Sequence, residues 1–353
     1  MKNFPAKIVI MRTDRIGEVL LSTVLIDGMK KLYPAAEISF VTSMYSKDIL
    51  SGRRDLSEII IADTRKNSGW ILKAVKLAIV LRERRFDYSI VLNANKILHL
   101  ATFLAGIPVR VGYSRKWSVF LNKTIEDERE KGQKHEVESA MDFARLLGLK
   151  KYEQPSPRLI CEDAAVEKVK KLLLKEGMDL SRKLIVIHPS SSNPAKMWEK
   201  TRYAELIKKL KSYSECEIII VGTREEHLLA EEIIRASDKN VFNFCGELNL
   251  KELAALLQHA DLFVGNDSGP MHMAAAMDVP VIAIFGRNIP GVGPKRWGPY
   301  GKKHKVFHKD PLCVKCYDRE CPYGYKCLTA VTVEEVFNAA KQYFVGADPS
   351  VRP

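Results

Sequence analysis

A chain of 353 residues, 46% apolar and 28% charged, reads as a soluble globular protein with room for two domains of ordinary size. Its net charge of +13 points to a polyanionic partner: nucleic acid, an anionic membrane surface or a phosphorylated substrate. No run of about 18 uninterrupted apolar residues exists, which excludes a transmembrane helix. Met1–Met11 enters a strand pattern directly, so no secretory signal is expected and the chain is expected in the cytoplasm.

Lys7–Met11 is an apolar strand, followed by the turn 12–18 and a helix over Val19–Leu32 that ends at Tyr33-Pro34. Ile38–Thr42 and Glu58–Ala62 read as strands, Ile71–Arg84 as a basic amphipathic helix, and Tyr88–Leu92 and Arg110–Gly112 as strands. His135–Leu147 is helical. The polar stretch Lys150–Pro157 marks a boundary, and Asp163–Glu176 is a charged helix. A second alternation runs through strands Leu184–His188, Glu217–Val221, Val241–Phe244, Leu262–Val264 and Val281–Phe285. Two such series predict an α/β protein of two Rossmann-like domains facing across a cleft. Their bounds are 1–155 and 156–330, with 331–353 as a C-terminal helix and tail. The helix Val333–Tyr343, capped by Thr332, is a candidate to pack back on the first domain.

Ligands of open α/β sheets bind beyond the carboxyl ends of the strands, and the chemically interesting segments follow strands here. After Val264 comes Asn266-Asp267-Ser268-Gly269-Pro270, then a small apolar helix over Met271–Met277. Ser268 can cap that helix, Gly269 permits close approach of backbone to a ligand, and Pro270 suits a first helical position. Free amides and the helix dipole there suit a diphosphate, with Asp267 and His272 beside it. Read alone, the same residues make an ordinary capped turn. After Ile187 comes a loop with Ser190, Ser191 and Lys196, a mobile point charge of the phosphate-binding kind. After Val221, Gly222 precedes Glu225 and Glu226, which either reach ribose hydroxyls or simply favour a helix start. After Met11, Glu18 lies in a helical first turn whose dipole favours the ionised form, which makes it a candidate general base. The G-x-G-x-x-G fingerprint is missing after Met11 and Ile187, and the chain has no Walker A motif and no Asp-x-Asp pair. A diphosphate would then be neutralised without metal, by Lys196 and the Ser268–Pro270 helix start.

Together these segments resemble the ADP-heptose:lipopolysaccharide heptosyltransferases, inverting glycosyltransferases (family 9) of the GT-B fold. The resemblance covers nearly the whole chain, through RTDRIGEVLLS, RVGYSR at 110–115, HEVESAMDFARLLG at 135–148, HPSSSNPAKMW at 188–198, VGTREEH at 221–227 and the stretch 245–286. It implies an acceptor-binding first domain and a nucleotide-sugar-binding second domain. Asp267, Ser268, Gly269 and His272 would hold the donor diphosphate and sugar, Ser191 and Lys196 the same phosphates, and Glu226 the nucleoside. The family commonly has Gly-Asp where this chain has Gly17-Glu18, so Glu18 falls at the catalytic base and Asp14 is the reserve. No cofactor is implied; ADP-heptose is the donor substrate and a phosphorylated, lipid-linked sugar the acceptor, its phosphates received by Arg15, Arg110 and Arg115. The charge also favours peripheral contact with the anionic inner membrane. Nucleic acid is not expected, because no zinc-finger, OB or helix-turn-helix pattern accompanies the dispersed basic residues. The remaining alternatives are a transferase for another nucleotide-activated sugar and a non-catalytic nucleotide-sugar-binding protein.

Cys161, Cys216 and Cys245 are expected to fill core. Cys313, Cys316, Cys321 and Cys327 form C-x2-C-x4-C-x5-C, a spacing that suits one tetrahedral structural zinc but departs from two paired C-x2-C knuckles.

Overall fold

Strands buried on both faces need an apolar residue at every position, and Ile8, Val9, Ile10 and Met11 are all fully buried, as are Val281 to Phe285. The computed structural model describes residues 6–64, 69–151, 155–237, 240–317 and 319–344. Two units divide between Ile160 and Cys161, five residues beyond the boundary expected at 155/156; residues 152–154 of the polar stretch lie outside the described residues.

The first unit holds β1 (Lys7–Met11), α1 (Ile16–Ser22), α2 (Val24–Leu32), β2 (Glu37–Thr42), β3 (Glu58–Ile61), α3 (Trp70–Arg84), β4 (Tyr88–Val91), α4 (Lys96–Leu104), β5 (Val109–Tyr113), β6 (Lys123–Ile125) and α5 (Glu136–Leu146). Its sheet is parallel, in the order β3-β2-β1-β4-β5-β6. The single helix expected over Val19–Leu32 is two. Thr23 breaks it: its backbone N–H and its hydroxyl both donate to Leu20 O, at 3.0 and 2.7 Å, which tightens the turn and redirects the chain.

The second unit holds α6 (Asp163–Lys175), β7 (Lys183–His188), α7 (Lys200–Tyr213), β8 (Cys216–Gly222), α8 (His227–Ala236), β9 (Phe242–Cys245), α9 (Leu250–Gln258), β10 (Leu262–Asn266), α10 (Gly269–Ala276), β11 (Val281–Phe285), α11 (Pro294–Trp297), β12 (Lys305–His308), α12 (Lys326–Thr329) and α13 (Val333–Lys341). The sheet is again parallel, ordered β12-β11-β10-β7-β8-β9. The C-terminal helix α13 does not need the first domain as its partner. Val333, Val336, Ala339 and Ala340 are buried in the second unit's own core, and α13 packs on α7 and β11. The tail 345–353 lies outside the described residues.

Both sheets reverse strand order beside their first strand, between β1 and β4 and between β7 and β10. Loops leaving the carboxyl ends of those strands part to opposite faces and open a crevice.

Candidate active site

In the second unit the crevice falls where Gly265 pairs with His188. A short turn over Pro194–Lys196 follows β7, set by Asn193, whose side chain accepts from the Ala195 amide at 2.9 Å. The turn presses against the end of β11: a Cβ on Gly286 would fall 2.3 Å from Ala195 O, so only glycine allows the approach. Lys196 is thereby aimed at Asp267, with Nζ 2.6 Å from Oδ2 and both side chains largely buried.

Asn266, fully buried at the end of β10, joins these loops. Its Oδ1 accepts from the Trp198 amide and the Tyr203 hydroxyl, each at 3.0 Å, and its Nδ2 donates to Pro189 O at 2.8 Å. Ser191 Oγ donates to Asp267 O at 3.4 Å. Satisfied buried amides of this kind fix loop geometry, because breaking one bond strands its partner away from water.

Ser268 stands at the N-cap of α10, but its side chain makes no capping bond there. Instead Ser268 Oγ is 3.1 Å from His188 Nδ1. The helix starts at Gly269, two residues before the expected Met271, with Pro270 second and not first. The amides of the first turn are therefore not covered by the cap side chain, and they carry the positive end of the helix dipole. His272 is buried at the end of that turn, four residues past Ser268 and on the same helix face. His188 turns its other nitrogen, Nε2, to Glu226 Oε2 at 3.7 Å. Glu226 also closes a capping box with Thr223, accepting from its amide at 2.7 Å. Burial raises the Glu226 carboxyl, but hydrogen bonds from His188 and Ser190 outweigh it and hold the group down at about 2. Glu226 is thus an anchored carboxylate at the end of β8.

In the first unit Glu18 is the third residue of α1. Its carboxyl is shifted up, not down as the helix dipole alone suggests. Burial is the first cause and the Asp14 charge the second, with Arg12 opposing them. A base nearer neutrality is better matched to removing a hydroxyl proton. Asp14, the reserve candidate, is tied to Arg12, whose Nε donates to Oδ1 at 2.7 Å. Arg12 is itself buried and gives Nη1 to Glu136 Oε1 at 3.0 Å; Arg129 reaches the same oxygen at 3.3 Å. Neither Glu136 nor Arg129 was singled out as a site residue in the sequence. Beside them, Thr13 accepts from Thr64 at 2.8 Å and from Asn93 Nδ2 at 3.4 Å, a polar ledge at the ends of β1, β3 and β4. Of the arginines expected at acceptor phosphates, Arg15 is exposed. Arg115 is bound to Asp127 and Glu130, and Arg110 donates to the carbonyls of Phe120 and Ile107, which makes it a brace within the fold.

Cys216 and Cys245 sit in the second core, whereas Cys161 is only half-buried. Cys313, Cys316, Cys321 and Cys327 are free and half-buried. Among the described residues no three His, Cys, Asp or Glu side chains stand together as a metal ligand set, while burial, with Cys327 and Cys321 nearby, pushes the Cys316 thiol up; Asp318 lies outside the described residues.

Residues 74–326 match the family model of glycosyltransferase family 9 (heptosyltransferase). The chain belongs to that family. It is a family 9 glycosyltransferase, similar to lipopolysaccharide heptosyltransferase 2 of Salmonella typhimurium, with 28% identity over 310 residues that span 85% of this chain and 87% of the relative. Its fold is GT-B, as in the structure of the Escherichia coli ADP-heptose lps heptosyltransferase II, with a TM-score of 0.79 at 24% identity over 96% of this chain and 98% of that one. The Escherichia coli heptosyltransferase WaaC with ADP-2-deoxy-2-fluoro heptose superposes with a TM-score of 0.70 at 20% identity, over 95% and 99% of the two chains. No helix among the described residues of this family 9 enzyme is long and apolar enough to cross a membrane.

Proposed function

We propose that this enzyme transfers heptose from ADP-heptose to a phosphorylated, lipid-linked sugar of the lipopolysaccharide inner core, at the cytoplasmic face of the inner membrane. The observation that carries the donor half is the Lys196–Asp267 pair beside the α10 start, whose first-turn amides the Ser268 side chain leaves uncovered. That combination is a charge and a set of oriented dipoles at one point, the chemistry a leaving diphosphate needs.

The acceptor hydroxyl attacks the anomeric carbon from the face opposite ADP. Its proton passes to the Glu18 carboxylate, the new C–O bond forms, the bond to ADP breaks, and the electron pair leaves on the diphosphate. Inversion follows from that single displacement. Lys196 and the α10 amides offset the growing charge, Ser191 and Ser268 orient the phosphates, His272 meets the sugar, and Glu226 receives nucleoside hydroxyls. The Thr13–Thr64–Asn93 ledge offers hydroxyl and amide groups to the acceptor sugar, next to Glu18. Mass spectrometry of the product after incubation with ADP-heptose and delipidated core acceptors tests the reading. A heptose-sized mass gain supports it; a gain only with another nucleotide sugar, or none with any, overturns it. The cysteine loop takes no part in this scheme. Elemental analysis of tag-free protein reads the zinc expectation directly: about one equivalent supports it, and less than about a tenth removes it.

A further inference from the structure

Helix α3 has the inner face of an ordinary surface helix, with Ala74, Leu77, Ala78 and Leu81 in the first core. Its outer face is apolar as well. Ile71, Leu72, Val75 and Ile79 are 55%, 59%, 38% and 55% exposed. At about 100° per residue they fall in one arc, with Lys76 just past its margin and Arg82 closing it at the C-terminal end. An aromatic relay starts from the core-facing side of the same first turn. The Trp70 ring, in the first turn of α3, is 5.7 Å from Trp117; Trp117 stacks on Phe120 at 6.4 Å; Phe120 meets Phe103 of α4 at 5.4 Å. Beyond these rings Phe103, Leu104 and Val119 are exposed, Val119 by 82%. Two exposed apolar patches joined through the Trp70 turn mark an interaction surface, where scattered single residues would not.

Charge selects the occupant. From Trp70 to Lys123 the chain carries ten lysines and arginines against two acids, Glu83 and Asp87. Lys96 Nζ lies 4.2 Å over the Trp70 ring, and the Arg110 guanidinium 5.5 Å over Phe103. Lys76, Arg82, Lys116 and Lys123 are exposed around the patches. A second copy of the chain would bring the same cations and be repelled. An anionic bilayer complements both properties: headgroup phosphates meet the cationic rim, the acyl boundary takes the aliphatic arc, and tryptophans settle at headgroup depth.

We propose that these joined patches of the first unit are the surface by which the enzyme sits on an anionic bilayer. Trp70 and Trp117 follow the carboxyl ends of β3 and β5, the edge that also carries Thr13 and Thr64. A lipid-linked acceptor would then enter from the same plane that holds the enzyme. That last advantage rests on the function proposed above; the docking itself does not.

Flotation of the full chain with vesicles of phosphatidylcholine plus phosphatidylglycerol, against phosphatidylcholine alone, tests it. Wild type is expected to float with the mixed vesicles and to be released as salt rises. The double variant Leu72→Glu/Ile79→Glu should lose at least about tenfold in partition, since each change puts a charge where an aliphatic side chain entered lipid. Lys76→Glu/Lys116→Glu should abolish the preference for phosphatidylglycerol. Both should keep wild-type turnover on a delipidated acceptor. Wild type that ignores mixed vesicles at low salt, or variants that float like wild type, would overturn the proposal. So would a dimer in light scattering that Leu72→Glu/Ile79→Glu dissociates, in the absence of vesicle binding. An enzyme that floats but transfers no sugar would sink the functional reading and leave the docking surface standing.

Discussion

Lys196 Nζ lies 2.6 Å from Asp267 Oδ2, so the cation at the proposed donor site is aimed by the acid that opens the α10 turn. A largely buried pair adds little net stability, because desolvation offsets attraction, but it fixes direction. Lys196→Ala should cost on the order of a hundredfold in turnover by removing charge stabilisation of the leaving diphosphate. Asp267→Ala should weaken donor use by letting the lysine wander. Kinetics at saturating acceptor that are unchanged in both variants would move the donor site elsewhere.

Glu18→Gln keeps the shape of the proposed base and removes its function. Turnover should fall about a hundredfold or more, with ADP-sugar binding retained. Because burial and Asp14 raise the Glu18 carboxyl, the acid limb of the wild-type pH–rate profile should lie above the ordinary glutamate value. The linked stability has a definite sign. A raised folded-state pKa means the folded state holds its proton more tightly. The stability Glu18 contributes is fully present below its unfolded pKa and is lost as pH rises through the folded one. At neutral pH the buried carboxylate is a net cost, so Glu18→Gln should unfold at the same or a higher temperature. A variant that loses turnover and also melts early would mean structural damage, and near-normal turnover would take the role away from Glu18.

The buried Arg12 guanidinium tests the same base from a second direction. Arg12→Met removes the cation that lowers Glu18 and pairs with Asp14, so the acid limb should move further up in pH. Glu136→Gln halves the compensation of two arginines, and it should destabilise the protein by about 3 kcal/mol in denaturant titration, as expected when one partner of a buried ion pair is removed. An acid limb that stays in place in Arg12→Met would show that the charge cluster does not reach the base.

Asn266→Ala strands the Trp198 amide, the Tyr203 hydroxyl and the Pro189 carbonyl in a dry interior. Their desolvation should cost about 3 kcal/mol, and the donor KM should rise because the loop carrying Lys196 loses its anchor. Stability and KM both at wild-type values would deny Asn266 that part.

Most strands were legible because parallel strands buried on both faces must be continuous apolar runs, whereas the edge strands β6 and β12, only partly buried, were not; the α10 turn was legible because Asp-Ser-Gly-Pro is locally distinctive. What stayed hidden depends on distant partners. Arg12 and Glu136 are 124 positions apart and share no period. Ser268 pairs its hydroxyl with His188, 80 positions away, so local capping rules mispredicted it. The pKa direction of Glu18 turns on burial, which a first-turn acid does not advertise. Helix α3 read as basic and amphipathic from Lys73 and Lys76, but its apolar residues outnumber one inward face and spill onto the other. The partner of α13 was open because an amphipathic stripe specifies a depth of burial and not an address.

Gly286 rests against Ala195 O, and Val331 O receives both Trp198 Nε1 and Arg202 Nη1, at 3.0 and 2.6 Å. The stretch between Gly286 and Val331 therefore departs from and returns to one short loop, and within it β12 and α12 clamp the segment 309–325 at both ends. Once ends are fixed, lengthening a loop is cheap, about 0.6 kcal/mol per doubling. The cysteine-bearing segment is in effect a cassette: evolution or an engineer can rewrite it, extend it or exchange it while Lys196 keeps its aim at Asp267.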